Sequence, residues 1–312
     1  MNDSITLSII LPVYNGMPHL PESVQSIVEQ SYTHWELIVV NDGSTDSSGE
    51  YLEKLTETDG RIRCVTHSVN RGVAAAYNTG IRRASGQILA FQEQDDISVQ
   101  YRLERQLNLI QHYPVPFVSS RVGWMDANGS IYKYWPDDIQ QEVEIWLPGD
   151  DFFEKLLVHQ TRIANATTML NRALIKDDDL VFDEQFKQSG QDWDFHLRIV
   201  RKYPVLRLKE PLVWMRRYRG HVSSTTGQAQ VFQDNRRLLS KHARLELWSQ
   251  RRFSESPLFL KAWSNEFAIE ARYFRNAYGV LLGCLGLLCW PRNPQVWASV
   301  WNALKRLTPR RV

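Results

Sequence analysis

The sequence predicts an α/β fold: a mostly parallel central sheet flanked by helices, with a C-terminal helical extension. Three observations support this prediction. Short apolar runs that fit buried strands alternate with segments of helical periodicity in the first third of the chain. Each apolar run ends in polar or turn-forming residues. Beyond about residue 225 the pattern is helical and rich in arginine and tryptophan.

The alternation begins with an apolar run at residues 5–13, which ends in Pro-Val-Tyr-Asn-Gly and is typical of a strand buried on both faces. The elements predicted next are a helix at 20–30, a strand at 35–40, a helix near 47–56, a strand at 61–66, a helix at 73–84 and a strand at 87–91. Units of this kind form right-handed crossovers between parallel strands.

After residue 115 the pattern loosens into short mixed elements. The clearest are strands at 165–170 and 212–218 and a helix at 192–201. We therefore predict one domain over residues 1–225, made of the halves 1–115 and 116–225. Residues 226–312 form a separate helical, basic and tryptophan-rich region.

Composition fits a globular protein with two parts of different character. The 312 residues are 43% hydrophobic and 23% charged, which is enough apolar material for a sizeable core. A net charge of +2 gives no reason to expect a nucleic-acid partner. From Arg236 onward, however, 14 basic residues face 4 acidic ones, so this part carries +10 and the rest carries −8. The asymmetry suggests that the C-terminal region has a role of its own.

Cysteine usage and the N-terminal sequence favour a cytoplasmic location. The three cysteines form no Cys-x-x-Cys pair, so neither a disulfide framework nor a zinc site is expected. No basic segment precedes the first apolar run, which Pro12 and Asn15 interrupt too early for a signal peptide. We expect a cytoplasmic protein, placed on the inner face of the cell membrane if its C-terminal region binds lipid.

Motifs of several common enzyme classes are absent. The chain contains no GxGxxG after a strand, no GxxxxGK[ST], no HExxH and no GxSxG. These absences argue against a dehydrogenase, a P-loop NTPase, a zinc protease and an α/β-hydrolase.

Five segments occur in an informative order: SIILPVYNG at 8–16, ELIVVNDGSTD at 36–46, NRG at 70–72, GQILAFQEQDD at 86–96 and GQDWD at 190–194. Together they resemble the inverting glycosyltransferases of family 2, which have the Rossmann-like GT-A fold, over residues 5–225. The resemblance implies transfer of a sugar from a nucleotide diphosphate sugar to a hydroxyl of a glycan or lipid-linked acceptor. It also implies a Mn²⁺ or Mg²⁺ cofactor and a role in cell-surface polysaccharide synthesis.

The resemblance assigns donor binding to residues that follow the predicted strands, where ligands of open α/β sheets bind. These residues are Pro12, Tyr14, Asn15, Asp42, Arg71, Gln94, Asp95 and Arg219. Asp42 is suited to accept from the base or ribose, and the alternative is an Asx-turn. Asp46 is expected to cap a helix. Arg71 is either a nucleotide-side residue or a surface arginine, and Arg219 is either a diphosphate clamp or an exposed loop residue.

A metal site is implied at Glu93, Asp95 and His221. The carboxylates of Glu93 and Asp95 are two residues apart just beyond a strand, and hard oxygen ligands suit Mg²⁺ or Mn²⁺. The family usually has Asp-x-Asp at this point, so the longer Glu93 leaves open whether it binds the metal directly or through water. The alternative is a pair of solvated loop acids.

Asp192 matches the family's general base, which takes the proton from the acceptor hydroxyl. Gln191 stands where the family often has Glu. A carboxylate near a dry site has a raised pKa, which favours this role. The alternatives are a first-turn aspartate that stabilises the helix dipole, and Asp194 as the base.

The C-terminal region allows two interpretations. Residues 277–290 form an uncharged run that is too short to span a bilayer and fits a buried helical hairpin or an interfacial segment. Apolar residues then recur at helical spacing beside Lys and Arg: Trp297, Val300, Trp301, Leu304 and Leu307. This pattern fits a helix on an anionic membrane surface, or one that packs on its own protein.

Two other functions compete with glycosyl transfer. A nucleotidyltransferase would need a basic, Gly-rich loop after the first strand, but residues 12–18 contain no Lys or Arg. A non-catalytic protein that binds nucleotide sugars or carbohydrate stays open because of the departures at Glu93 and Gln191.

Overall fold

The computed structural model describes residues 7–186, 189–217, 228–250, 256–273, 277–291 and 293–307. They form two compact units. The first contains the described residues of 7–150 and 162–217, and the second contains 151–161 and those of 228–307. The short segment 151–161 thus belongs with the C-terminal helices, which no pattern in the sequence indicates.

The first unit is built on one mixed sheet. Its strands are β1 (Leu7–Val13), β2 (Trp35–Asn41), β3 (Ile62–Thr66), β4 (Ile88–Phe91), β5 (Ile97–Ser98), β6 (Phe117–Met125), β7 (Ile131–Trp135), β8 (Val143–Trp146), β9 (Met169–Asn171) and β10 (Val205–Arg216). The order is β3-β2-β1-β4-β9-β6-β10-β5, with β7 on β6 and β8 on β10. Strands β1 to β4 pair in parallel, as do β6 and β10, whereas β5, β7, β8 and β9 are antiparallel to their neighbours.

The helices of this unit are α1 (Leu20–Val28), α2 (Ser48–Thr58), α3 (Val73–Arg83), α4 (Arg102–His112) and α6 (Gln191–Lys202). The second unit contains α5 (Phe152–Leu157), α7 (Gln228–Gln250), α8 (Ser256–Tyr273), α9 (Ala277–Cys289) and α10 (Pro294–Leu307). The predicted central sheet with flanking helices is confirmed, and so is the helical character of the C-terminal region.

Every residue of β1 is buried, which explains its unbroken apolar run. Ile9 and Leu11 join a core cluster with apolar residues of α1, α2 and α4. The opposite face of the sheet packs on α3, where Ile38 and Val40 contact Ala76. Because both faces are covered, the strands carry no polar alternation, and polar residues collect where the strands end.

One predicted strand is partly wrong. Residues 165–167 form a 3-10 turn, and pairing begins only at Met169. The Thr167 hydroxyl donates to the carbonyl of Ala164 (2.8 Å), and the Asn165 side chain bonds elsewhere. Such local side-chain bonds compete with a strand ladder and explain the turn.

In the second unit, α8, α9 and α10 pack around Ala268, Val296 and Val300. Gly283 lies so close to Val300 that a Cβ there would approach its Cγ2 to 2.4 Å. Val300 therefore faces the protein, while Trp297 and Trp301 are 58% and 61% exposed. Among the described helices, none is long and apolar enough to cross a membrane.

Candidate donor and acceptor site

The loop after β1 is held by side chains from two other strand ends. The Gln94 amide accepts from the backbone N–H of Tyr14 (2.8 Å) and donates to its carbonyl (3.2 Å). Asn15 has a positive φ of 50°, and its Oδ1 accepts from the backbone N–H of Thr45 (2.8 Å). These bonds bring three of the predicted donor-binding residues, Tyr14, Asn15 and Gln94, to one edge of the sheet. Pro12 lies within β1 beside Val40.

Asp42 is 2% exposed and organises the loop before α3. Its Oδ1 accepts from the backbone N–H of Arg71 (2.9 Å), its Oδ2 accepts from that of Gly72 (2.8 Å), and His67 Nδ1 lies 2.6 Å from Oδ1. His67 Nε2 lies 3.0 Å from the hydroxyl of Thr79 on α3. Asp42 thus bonds residues about thirty positions away.

The side chain that stabilises the local turn after β2 is that of Asn41 and not that of Asp42. Asn41 Oδ1 accepts from the backbone N–H of Ser44 (3.0 Å). Gly43 has a φ of 72°, and a Cβ there would lie 2.8 Å from the backbone of residues 69 and 70. Asp46 lies one residue before the N-cap of α2, where its carboxylate accepts from the backbone N–H of Ser48 (3.0 Å) and of Met17 (3.1 Å). The Asp46 side chain therefore satisfies a free donor at the helix start, as expected of a capping residue.

Arg71 itself points away from Asp42. Only its backbone N–H reaches that carboxylate, while its guanidinium lies 3.4 Å from Glu184. Both side chains of this pair are more than 40% exposed, so the pair leaves the guanidinium able to meet a ligand.

Glu93 is largely buried and accepts two hydrogen bonds at Oε1, from the Tyr77 hydroxyl (2.8 Å) and from Asn165 Nδ2 (3.2 Å). Burial raises its pKa to about 7, with smaller contributions from the charges of Asp95 and Asp192. Oδ1 of Asn165 is buried and has no partner in the described part of the chain. Tyr77 and Asn165 belong to no motif, so no sequence pattern predicts them in the site.

Arg216, at the end of β10, binds the loop after β4, residues Glu93–Asp96, which we call the acidic loop. Its Nε donates to the carbonyl of Asp95 (3.2 Å), its backbone N–H donates to Asp96 Oδ1 (3.1 Å), and its guanidinium pairs with Glu22. Burial, together with the charges of Asp95 and Glu93, raises the pKa of Asp96 well above its ordinary value. Asp96 therefore serves to join the loop to β10.

The fully buried Arg102 forms hydrogen bonds at both ends of the acidic loop. The Arg102 guanidinium donates to the Phe91 carbonyl (2.7 Å), to Gln92 Oε1 (2.9 Å), to the Ser98 hydroxyl (2.8 Å) and to Gln106 Oε1 (3.0 Å). Burial lowers its pKa to about 10. These bonds fix both ends of the loop that carries Glu93 and Asp95.

Asp192 lies in the first turn of α6, after Gly190, whose φ of 82° suits glycine. Burial raises its pKa, while the Trp193 backbone N–H and the Arg162 charge oppose the rise. Its own charge in turn raises the pKa of Glu93 and of Tyr77, so the three side chains lie in one electrostatic neighbourhood. The Arg162 guanidinium lies 4.6 Å from the centroid of the Trp193 ring.

Asp194 faces a different environment. Its side chain is fully buried and forms an ion pair with Arg198 (3.0 Å). Gln191, which stands where the family often has Glu, has a buried Oε1 without a partner among the described residues. Asp192 thus lies near the acidic loop, whereas Asp194 pairs with Arg198 of the same helix.

The donor set at Glu93 and Asp95 fits a divalent cation. Mg²⁺ and Mn²⁺ are commonly held by one or two carboxylates together with substrate phosphates. Both hydrogen bonds to Glu93 end on the same oxygen, and Asp95 is partly exposed. Among the described residues no group of three or more His, Cys, Asp or Glu could hold a metal without the substrate. Arg219 and His221 lie outside the described residues.

Comparison with known proteins places the chain in a family. The model of Glycosyl transferase family 2 matches residues 8–177, more than half of the chain. Over 132 residues the chain is 32% identical to UDP-Glc:alpha-D-GlcNAc-diphosphoundecaprenol beta-1,3-glucosyltransferase WfgD of Escherichia coli, a match that covers 42% of this chain and 51% of that protein. The chain spans about half the length of the curated relatives it matches.

Two solved structures share the fold across nearly the whole chain. TarS 1-349 of S. aureus in complex with UDP-GlcNAc gives a TM-score of 0.62 at 18% identity, covering 96% of this chain and 91% of that one. The mannosyltransferase PcManGT from Pyrobaculum calidifontis, in complex with GDP-Man and Mn2+, gives a TM-score of 0.55 at 17% identity, covering 98% and 86%. These likenesses confirm the GT-A-type fold, and together with the sequence match they show that the chain belongs to glycosyl transferase family 2.

Proposed function

We propose that this chain transfers a sugar from a nucleotide diphosphate sugar to a hydroxyl of a glycan or lipid-linked acceptor, with inversion, in cell-surface polysaccharide synthesis. One observation carries the proposal. A partly buried aspartate with a raised pKa, Asp192, lies in the same electrostatic neighbourhood as Glu93 at the carboxyl edge of the sheet. A proton acceptor and a set of oxygen ligands are thus within reach of one substrate. The name of the E. coli relative, with its diphosphoundecaprenol-linked acceptor, supports the acceptor class.

The donor's nucleotide would lie on the loops after β1 and β2. Pro12, Tyr14 and Asn15 form one side, and the Asp42 loop with Arg71 forms the other. Asp42 already accepts backbone donors from Arg71 and Gly72, so its first role is to shape this loop. Gln94 fixes the Tyr14 backbone, and Arg219 would clamp the diphosphate.

Mn²⁺ or Mg²⁺ would be held by Asp95 and Glu93, with His221 as a further ligand. When bound, the ion neutralises the charge on the leaving nucleotide diphosphate. Tyr77 and Asn165 already bond Oε1 of Glu93, so Glu93 would bind the ion through its other oxygen.

Asp192 would act as the base. The acceptor hydroxyl oxygen attacks the anomeric carbon from the face opposite the diphosphate, its proton passes to the Asp192 carboxylate, and the anomeric carbon–phosphate oxygen bond breaks. Attack from the opposite face inverts the configuration. The raised pKa of Asp192 makes the carboxylate a stronger proton acceptor than an exposed aspartate.

The test is release of nucleotide diphosphate from UDP-, GDP- and dTDP-sugars, with Mn²⁺ or Mg²⁺ and with EDTA. We expect release from one donor that requires metal, and a loss of at least about a hundredfold in Asp192→Asn with donor binding retained. Asp194→Asn is the matched control, since it removes a charge of the same helix that pairs with Arg198 and should affect stability rather than turnover of the folded protein. Donor binding without release, with acceptors of the proposed class present, would favour a non-catalytic binding protein. Full activity of Asp192→Asn would remove Asp192 as the base.

We also propose that the second unit contacts an anionic membrane surface. Its exposed apolar residues include Leu281 and Leu285 on α9 and Trp297 and Trp301 on α10, each pair four residues apart. Lys305 and Arg306 follow on α10, in the part of the chain that carries the net charge of +10. Tryptophan beside basic residues is typical of helices that lie in the interface.

Sedimentation with anionic vesicles checks the membrane proposal. Trp297→Gln combined with Trp301→Gln, and separately deletion of residues 291–312, should weaken sedimentation while donor hydrolysis persists. Leu174→Gln, which removes an exposed apolar side chain of the first unit, should leave sedimentation unchanged. Equal sedimentation of the double variant and the parent would exclude this surface.

A further inference from the structure

A group of aromatic and basic side chains lies at the end of β6, outside the residues assigned above. We call it the Trp124 cluster: Trp124, Tyr132, Lys133, Trp135 and Arg217. The Lys133 ammonium and the Arg217 guanidinium each lie 4.8 Å from the Trp124 ring centroid. The Tyr132 and Trp135 rings lie 6.2 Å and 6.1 Å from it. Tyr132 is 57% exposed, and Lys133 and Arg217 are exposed as well.

The cluster is attached to the acidic loop through β10. Arg216 and Arg217 are consecutive: Arg216 bonds Asp95 and Asp96, while Arg217 covers Trp124. Strands β4, β6 and β10 run in the same direction, because β9 is antiparallel to both β4 and β6 and β6 pairs in parallel with β10. The carboxyl ends of β6 and β10 therefore lie at the same edge as the Glu93–Asp96 loop.

A second connection runs through the 3-10 turn before β9. Asn165 donates to Glu93, and its neighbours Ala164 and Ala166 pack in the core cluster that includes Trp124 and Trp135. The segment 164–166 thus contacts Glu93 through Asn165 and packs with the aromatic cluster through Ala164 and Ala166. The cluster is thus connected to the loop whose Glu93 lies in the electrostatic neighbourhood of Asp192.

The composition of the cluster indicates what it binds. Exposed aromatic rings offer large, rigid, partly apolar surfaces, which suit the C–H face of a sugar ring. Exposed Lys and Arg beside them suit phosphate oxygens. A neutral glycan would need no second cation, and an inorganic anion would need no aromatic rings. A sugar linked to a diphosphate uses both features.

We propose that the Trp124 cluster binds the sugar diphosphate head group of the acceptor, with the sugar ring on Tyr132 and the diphosphate at Lys133 and Arg217. The inference rests on the proposed glycosyl transfer and names its acceptor class. Only the head group is assigned to the cluster, and the lipid chain is left outside it.

The test uses the full chain and two soluble probes: N-acetylglucosamine diphosphate esterified with a short alkyl chain, and the neutral alkyl N-acetylglucosaminide. Dissociation constants are measured by calorimetry, which needs no turnover. Lys133→Gln should weaken binding of the diphosphate probe about tenfold and leave the neutral probe unchanged. Tyr132→Ala should weaken both probes about three- to tenfold.

Tyr134→Ala is the matched control. Tyr134 is 51% exposed on the same strand, lies opposite Gly123 and has no ring contact within the described part of the chain. It should bind both probes, and the donor, as the parent does. In Lys133→Gln and Tyr132→Ala the donor dissociation constant should also be unchanged, and in transfer assays the acceptor KM should rise while kcat stays within about twofold.

Two results would overturn the assignment: no binding of the diphosphate probe by the parent chain, or parental affinity in both Lys133→Gln and Tyr132→Ala. Loss of donor binding in these variants would also count against it, because it would show that the cluster supports the fold rather than the acceptor. The outcome is separable from the proposed transfer. Probe binding without nucleotide release would contradict the transfer and keep the site, whereas release with unaffected acceptor binding in the variants would contradict the site alone.

Discussion

His67 shows how one buried side chain sets the shape of the donor loop. It lies between Asp42 and Thr79, 2.6 Å and 3.0 Å away, and is only 9% exposed. Asp42 holds the backbone of Arg71 and Gly72 at the start of α3. His67 therefore positions the loop through Asp42 and need not touch the donor.

We expect His67→Ala to weaken donor binding about five- to tenfold, because Asp42 loses a buried hydrogen bond and the loop it fixes becomes looser. His67→Asn should bind within about twofold of the parent, since its amide can replace Nδ1 beside Asp42. Calorimetric titration with the donor selected by the release assay measures both. Parental affinity in His67→Ala would show that Asp42 holds the loop without the imidazole.

The candidate site could be predicted from the sequence only where residues belong to a motif. Asp42 directly follows β2 and Asp95 lies in the loop after β4, so the strand pattern predicts both at the sheet edge, whereas Asp192 is assigned by the family resemblance. Tyr77, Asn165, Arg162 and Arg216 reach the same edge from distant parts of the chain. Their contacts depend on how strands β4, β9 and β10 are ordered, and no local pattern encodes that order.

At the scale of elements, the helices and strands of the first third of the chain follow the prediction within a few residues, because buried strands and amphipathic helices have distinct periodicities. The second half is harder to predict, since β7, β8 and β9 pair antiparallel with their neighbours and β9 has only three residues. In the C-terminal region, the helical spacing predicts Val300 on one apolar face with Trp297 and Trp301. The structure divides them, because close contact with Gly283 turns Val300 inward.

The packing of α3 on β1 depends on a glycine. A Cβ at Gly80 would lie 2.3 Å from Cγ2 of Ile10, which is fully buried. Helix propensity favours alanine over glycine by about 1 kcal/mol, but an overpacked core costs about 1–3 kcal/mol. The cost of the clash should exceed the gain in helix propensity, because neither β1 nor the packed helix α3 can move away easily.

We therefore expect Gly80→Ala to lower the free energy of unfolding by about 1–2 kcal/mol, as measured by urea denaturation. Gly60→Ala is the control, because nothing lies within 4 Å of a Cβ at Gly60 and its stability should stay within about 0.5 kcal/mol of the parent. In an Ile10→Ala background, which removes Cγ2, the cost of Gly80→Ala should disappear. A fully stable Gly80→Ala in the native background would show that α3 can shift.

At the scale of the whole molecule, two groups of carboxyls respond to pH in opposite ways. Four carboxyls have lowered pKa values: Glu36, Asp46, Asp59 and Asp179. In each case burial raises the pKa, but hydrogen bonds, together with a nearby cation for all but Asp46, lower it by more. Their stabilisation is complete above their unfolded pKa values, near pH 4, and is lost only in more acidic solution. Glu93, Asp96 and Asp192 have raised pKa values, in each case chiefly through burial.

These three carboxyls hold protons in the folded chain at a pH where the unfolded chain has released them. Their contribution is therefore complete below the unfolded pKa and is lost as the pH rises. For Glu93 the window runs from 4.5 to about 7. With cations removed by EDTA, we expect the contribution of Glu93 to the free energy of unfolding to fall by about 2–3 kcal/mol between pH 5 and pH 7. Buried His196, whose pKa burial lowers to about 3, contributes in the opposite sense over the same range, so a Glu93 variant is needed to isolate the carboxyl.

Urea denaturation at pH 5, 6, 7 and 8 in EDTA measures this slope. Glu93→Gln keeps the size of the side chain but cannot ionise, so the parent should lose about 2–3 kcal/mol of stability relative to this variant between pH 5 and pH 7. Added Mn²⁺ should stabilise the parent more at pH 8 than at pH 5, because a cation competes with protons for the same carboxylates. Parallel pH dependences of the parent and Glu93→Gln between pH 5 and pH 7 in EDTA would contradict the argument, since they would mean that Glu93 is ionised in the folded chain.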